Sequence, residues 1–329
     1  MMRPALILLS TLPFFAMIPS CGGLEDQEVQ LLEAYKNRAQ IYYEAKRFES
    51  CRQQAARGLA IDPEDPMLNH TFGRALLEMR SLGKIVDARP FLEKAYALDP
   101  NYRTAFSLAE FHQRYGVYLR DDSLSIQQAI RAYPESDPNR REEMRVQHLK
   151  QDAIAFEHWQ EALVLLDVAL LEAPEFLQGL QMAAMTHSLM GHDEIALEQL
   201  NRILEILLES KTYKNRELAT NTSLNLAQEQ KLRADLLEDM QHEISVRHAR
   251  AAIFKRQGNP QAEQSEYRFV LRLNPESAEA YFGLGMSLYE QGKRVDALGH
   301  LKSFVRVSNL EQDSKYMQQA LRILTETND

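Results

Sequence analysis

The sequence predicts an all-α protein, a superhelical solenoid of antiparallel helix pairs. Three observations predict it. Apolar residues recur at three- and four-residue spacing through most of the chain. A proline closes one amphipathic segment after another, at Pro63, Pro100, Pro134, Pro174 and Pro275. Glycine and proline are few, 13 and 12 in 329 residues, which disfavours a β fold with many tight turns.

The elements follow in chain order. The first twenty residues, "MMRPALILLSTLPFFAMIPS", place Arg3 before a nearly continuous apolar run from Ala5 to Pro19. Pro13 and Pro19 interrupt that run, and it is short for a bilayer span. It fits the apolar region of a secretory signal peptide covering residues 1–20. Ile18, Pro19, Ser20 and Cys21 then resemble a bacterial lipobox, in which a small residue precedes an invariant cysteine. Pro19 is a less usual occupant of its place. The resemblance implies lipidation of Cys21, cleavage before it and acylation of the new amino group. Several acyl chains hold a protein stably at a membrane where one does not. Gly22 at the following position is compatible with the outer membrane of a Gram-negative cell. Residues 21–33 then form a short linker.

Residues 34–208 carry the N-terminal units. "GLAIDP", "AYALDP", "AIRAYP" and "ALLEAP" end at Pro63, Pro100, Pro134 and Pro174, so the same phase recurs, with extensions of the 34-residue period in the first and third of the three intervals. The helix pairs are read at 34–63, 69–100, 103–134, 143–174 and 177–208. The first pair brings Tyr35, Ala39 and Tyr42 against Phe48, Cys51, Ala55 and Gly58. Cys51 therefore falls at a small-residue packing place and is expected to be buried. In the fifth, Leu180, Ala183 and Ala184 face Ala196, Leu200 and Ile203 across a turn at Gly191. The third has lost the central glycine and is recognised mainly by spacing.

Residues 209–243 interrupt the array. Leu232, Leu236 and Met240 recur at helical spacing there, which predicts a lengthened helix running into Ile244, with "ELATNTS" as the break before it. Residues 244–307 hold two further pairs, 244–275 and 278–307. Gly258 and Gly292 stand 34 residues apart in their turns. In the last pair, Tyr281, Leu284, Gly285 and Leu288 lie on the first helix, and Ala297, Leu301 and Phe304 on the second. These residues resemble the tetratricopeptide repeat (TPR), and the resemblance extends over about residues 34–307. It implies a curved array whose first helices line the concave side, a protein or peptide partner, and no cofactor. Residues 308–329, with Tyr316, Ala320 and Leu324, form the capping helix and tail that such an array needs.

A search for chemistry finds no catalytic, cofactor or metal constellation. The net charge of −9 argues against nucleic acid as a partner, because a phosphate backbone requires a basic face. His187 and His192 are five apart across a turn, and His242 and His248 are six apart, which suits no common ligand. His158 stands beside Trp159, the only tryptophan, which reads as packing. The two close glycines of "YFGLGMS" sit within a helix and not after a strand, so they make no phosphate loop.

Binding is what remains. The register turns Lys36, Gln40 and Tyr43 inward in the first unit and Gln181, Met185 and Ser188 in the fifth. In the last unit it turns Phe282, Met286 and Tyr289 inward. That apolar trio is the candidate partner contact, with contact to the C-terminal cap as the competing assignment. The functional expectation is a non-enzymatic scaffold, anchored through a lipid on Cys21, that docks or assembles a protein partner in the cell envelope. A lipidated cysteine followed by such repeats looks like the plan of outer-membrane pilotins. A soluble periplasmic or secreted adaptor is the first alternative, and an enzyme with a site hidden in the helical array is the second.

Overall fold

The computed structural model describes residues 26–133, 137–311 and 313–326. These residues form thirteen α-helices and no strands. The order is α1 (Asp26–Glu44), α2 (Phe48–Leu59), α3 (Pro66–Glu78), α4 (Leu82–Leu98), α5 (Tyr102–Ala132), α6 (Pro138–Glu172) and α7 (Leu177–Leu189). Then follow α8 (Asp193–Thr220), α9 (Leu226–Arg256), α10 (Pro260–Leu273), α11 (Ala278–Glu290), α12 (Arg294–Val307) and α13 (Lys315–Glu326).

Local chemistry sets most of the helix starts. Asp65, Asp137 and Asn259 each cap a helix whose next residue is proline, and each side chain accepts a backbone N–H of the first turn. Asn101 with Thr104, and Asn225 with Gln228, form reciprocal capping boxes. Within three of the helix pairs the tight turn passes through glycine in the left-handed region, at Gly191, Gly258 and Gly292.

Consecutive helices pack antiparallel into an all-α solenoid of tetratricopeptide-like pairs: α1 with α2, α3 with α4, α5 with α6, α7 with α8, α9 with α10, and α11 with α12. Along one side, α1, α3, α5, α7 and α9 touch in succession, so the first helices of these five pairs line the inner side of the array. The core runs along the pairs as a series of apolar clusters in which alanines are sealed between larger residues. Ala39, Ala55, Ala88 and Ala95 are fully or almost fully buried. Cys51 is buried and unpaired in the first of these clusters, as its place in the repeat predicts.

Two of the expected pairs are corrected. The spacing at 103–134 and 143–174 predicts a helix–turn–helix in each segment. Each is instead part of one long helix, α5 of 31 residues and α6 of 35, and the two pair with one another. The reason is local. Between Gln113 and Ser125 there is no proline and no residue in the left-handed region, so nothing withdraws a backbone donor and the helix runs on. Gly116, the one glycine there, stays helical beneath the Trp159 side chain.

The segment 209–243 is shared between two helices. α8 continues to Thr220, residues 221–225 make the connection, and α9 begins at Leu226. Polar links fasten the extensions together. Lys214 Nζ lies 2.7 Å from Asp239 Oδ2, the Ser210 hydroxyl donates to the same carboxylate at 2.9 Å, and Lys211 meets Glu243 at 2.8 Å. Among the described residues no helix is long and apolar enough to cross a membrane.

Candidate partner-binding groove

Cys21, the expected lipid attachment point, lies outside the described residues. The apolar trio of the last unit meets the capping helix. Met286 is buried in one cluster with Leu301, Phe304, Met317, Ala320 and Ile323, and Phe282 and Tyr289 pack against its edge. The Phe282 ring stands 5.1 Å from that of Phe304 and 5.3 Å from that of Tyr316. Of the three, Phe282 lines a cavity, a space of about 580 Å³ bounded also by Tyr267, Phe304, Leu310 and Tyr316.

A larger groove, about 800 Å³, opens at the other end of the array. Gln40, Tyr43 and Glu44 of α1 form one wall, and Met67, His70, Thr71, Arg74 and Glu78 of α3 form the other. Lys46, Phe48, Arg80 and Arg103 complete it. Gln40 and Tyr43 are inward in the first unit as the register predicts. Lys36, one turn earlier, is instead tied to Asp65 at 2.7 Å.

The groove combines cationic heads with an aromatic floor. The Arg74 guanidinium lies over the Tyr43 ring, 4.7 Å from its centroid, and has no carboxylate partner among the described residues. The Tyr43 ring meets Phe48 edge-on at 5.6 Å. Burial pushes the Tyr43 hydroxyl up to about 12, so it remains a phenol donor. His70 sits deeper. Ser107 donates its hydroxyl hydrogen to the Arg103 carbonyl at 3.0 Å and so accepts from His70 Nε2–H at 2.8 Å. Burial, with Arg74 adding to it, pushes His70 down to about 4, and the ring is neutral at pH 7. Four cations, Lys46, Arg74, Arg80 and Arg103, thus face two carboxylates, Glu44 and Glu78, in a chain whose net charge is −9.

Two of those cations hold an unusual backbone. Lys46 and Arg80 have φ of 56° and 55°, and they are the non-glycine residues with positive φ among the described residues. They stand 34 residues apart, at the turn place that Gly191, Gly258 and Gly292 occupy in later units. The hydrogen bonds match: Lys46 N donates to Tyr43 O at 2.9 Å, as Gly292 N donates to Tyr289 O at 2.9 Å. An L side chain in this region costs roughly 1–2 kcal/mol relative to glycine. The array therefore carries two strained basic residues where glycine would serve the turn, and both line the groove.

Sequence reasoning found Gln40 and Tyr43 but missed Arg74, Arg80, Arg103 and Lys46. One signal was available. "YYEAKRF" and "LYEQGKR" align Lys46 with Gly292, and a basic residue at a glycine place marks the groove.

Elsewhere, Ser123, His148 and Asp152 converge between α5 and α6. The Ser123 hydroxyl donates to Asp152 Oδ1 at 2.5 Å and so accepts from His148 Nδ1–H at 2.5 Å. The proton order is the reverse of a base abstracting from serine, and Ser123 is fully buried, so the group pins the two helices. The rings of His187 and His192 stand 5.8 Å apart. Among the described residues, a set that brings three ligand atoms together is His112, His158 and Glu161.

No family model and no curated protein matches the chain. Solved structures do. The chain is similar to TTC0263, a thermophilic TPR protein of Thermus thermophilus, at 15% identity and a TM-score of 0.43, over 80% of this chain and 99% of that one. It is similar to a tetratricopeptide repeat protein of Parabacteroides merdae at 13% identity and a TM-score of 0.44, over 90% and 99% of the two chains. It is also similar to YrrB, described as a TPR protein with an unusual peptide-binding site, at 14% identity and a TM-score of 0.42, over 82% and 97%.

Proposed function

We propose that this chain is a protein-binding scaffold, anchored through a lipid on Cys21, whose first two helix pairs hold an acidic peptide segment of a cell-envelope partner. The observation that carries the binding part is the placement of Lys46 and Arg80. A scaffold selected for stability alone would have glycine at both turns, as its later units do. With Arg74 over Tyr43 between them, they suit carboxylates on a chain laid along the inner side. The anchor rests on the sequence around Cys21. A cell-envelope assembly role follows from that anchor and is proposed with it.

Two measurements test the reading. The mass of the mature N-terminal peptide should show acylated Cys21 as the first residue; an unmodified peptide with a different start overturns the anchor. A peptide array probed with the full chain should retain sequences rich in Asp and Glu, more weakly at high salt. Arg74→Glu should abolish that retention. Equal retention of basic peptides, or none lost in the variant, removes the groove from the account.

A further inference from the structure

The α5–α6 pair holds a second cluster, away from the groove. His112 projects from α5, while His158 and Glu161 lie three residues apart on one face of α6. His112 Nδ1 stands 2.8 Å from His158 Nδ1 and 2.7 Å from Glu161 Oε2, and His158 Nδ1 stands 3.8 Å from that oxygen. One ring nitrogen of His112 therefore faces two electron-pair donors at close range. A neutral imidazole offers that nitrogen at most one hydrogen, which points along one line. A cation at the centre would meet all three pairs at once.

We infer that His112, His158 and Glu161 form a three-ligand site for a divalent ion of the zinc class, joining α5 to α6. The three separations leave a point about 2 Å from every ligand atom, the bond length that zinc takes with imidazole nitrogen and carboxylate oxygen. The two short separations subtend near-right angles at that point, so small side-chain rotations that part His112 from the other two ligands give the tetrahedral set zinc takes, with one position left for water or a partner's side chain. Two nitrogens and one oxygen suit zinc better than calcium or magnesium, which take oxygen sets.

The surroundings hold the ligands in place. The His112 ring is tucked edge-on against Phe111, and the His158 ring stands edge-on to Tyr115 at 4.9 Å. His112 is buried, whereas the Glu161 side chain is 58% exposed on the wall of a cleft of about 530 Å³, so an ion has a path in. Arg89 lines the same cleft and opposes a cation. Its Nε donates to Glu93 at 2.7 Å, and Glu157 and Glu161 add two more carboxylates, so one fixed cation meets three acids. The balance favours a divalent ion.

The test is zinc sulfate titrated calorimetrically into the full chain in detergent, with cobalt(II) as the spectroscopic probe. One ion should bind per chain, raise the melting temperature by several degrees, and give the intense visible absorption of tetrahedral cobalt, lost on adding zinc. Glu161→Gln changes an exposed group and should fold normally, with at least tenfold weaker zinc binding. His158→Asn should act in the same direction. Absence of stoichiometric binding overturns the site. So does unchanged binding in folded Glu161→Gln, which would move the ion to other histidines such as His187 and His192. A proton shared by His112 and Glu161 is the competing account, and it predicts no cobalt spectrum.

Discussion

Gly116 on α5 lies directly beneath Trp159 on α6: a Cβ at Gly116 would stand 2.5 Å from the indole nitrogen and 2.7 Å from its neighbouring carbon. The indole N–H is aimed at the Gln113 carbonyl, 3.4 Å away, and Trp159 is only 2% exposed. The glycine thus permits the close crossing of these two long helices.

Gly116→Ala sets helix propensity against packing. Alanine favours an exposed helix by about 1 kcal/mol over glycine. Here the added methyl meets a large ring with no room to move, and overpacking of this kind costs about 1–3 kcal/mol. The expected outcome is a lower melting temperature, read by circular dichroism. A rise would show that the ring gives way freely. Gly285→Leu should behave alike, because a Cβ there already comes within 2.9 Å of Leu301.

Lys46→Gly and Arg80→Gly should separate stability from binding. Each relieves a left-handed L residue, offset partly by the greater freedom of glycine in the unfolded chain, so stability should rise by up to about 1 kcal/mol. Retention of acidic peptides should fall in the same variants. Chemical denaturation and peptide titration on one preparation check both. Reduced stability would mean that the side chains support the turn and not a ligand.

Glu263 should give the C-terminal units a pH dependence. It is buried, its Oε1 has no hydrogen-bond partner, and Ser287 donates to its Oε2 at 2.7 Å. Burial raises its pKa above the ordinary carboxyl value, with Glu290 adding to the rise and Ser287 and Lys255 opposing it. A raised carboxyl pKa in the folded state favours folding when the group is protonated. That contribution is present below the unfolded value and is lost as pH rises through the folded one. Glu263→Gln should flatten this limb of the stability profile and stabilise the chain at neutral pH. An unchanged slope would remove Glu263 as its source.

Cys51 should resist labelling. It is fully buried, and burial pushes its thiol up to about 11, so little thiolate exists at neutral pH. A bulky maleimide should modify it at the rate of unfolding, accelerating with denaturant. Rapid modification of the native chain would contradict its place in the core.

The network around Glu266 ties α9 to α10. Its carboxylate, almost fully buried, receives Arg247 Nη1 at 3.1 Å and Arg250 Nε at 3.0 Å. Glu266→Ala leaves the largely buried Arg250 guanidinium without its carboxylate, while Arg247 keeps Glu243 at 2.7 Å. The cost should be on the order of 3 kcal/mol, measured by denaturation. Replacing all three by apolar residues should cost far less.

What the sequence determined by itself is what depends on neighbours in the chain. A proline after an amphipathic run marks the end of a helix, a glycine at the 34-residue interval turns the chain, and alternating small and large residues mark the crossings, so the paired array and the burial of Cys51 were legible. Only the tertiary structure decided three matters. It merged the expected third and fourth pairs into α5 and α6, because a repeat interval without a residue that disrupts hydrogen bonding does not stop a helix. It covered Met286 with α13, because a trio that faces inward by register is still free to meet the next element. It brought His112 to His158, 46 residues away, because contact across two long helices is set by how their side chains interlock. Spacing along one strand of sequence carries the phase of each helix, but the register between helices exists only once they pack.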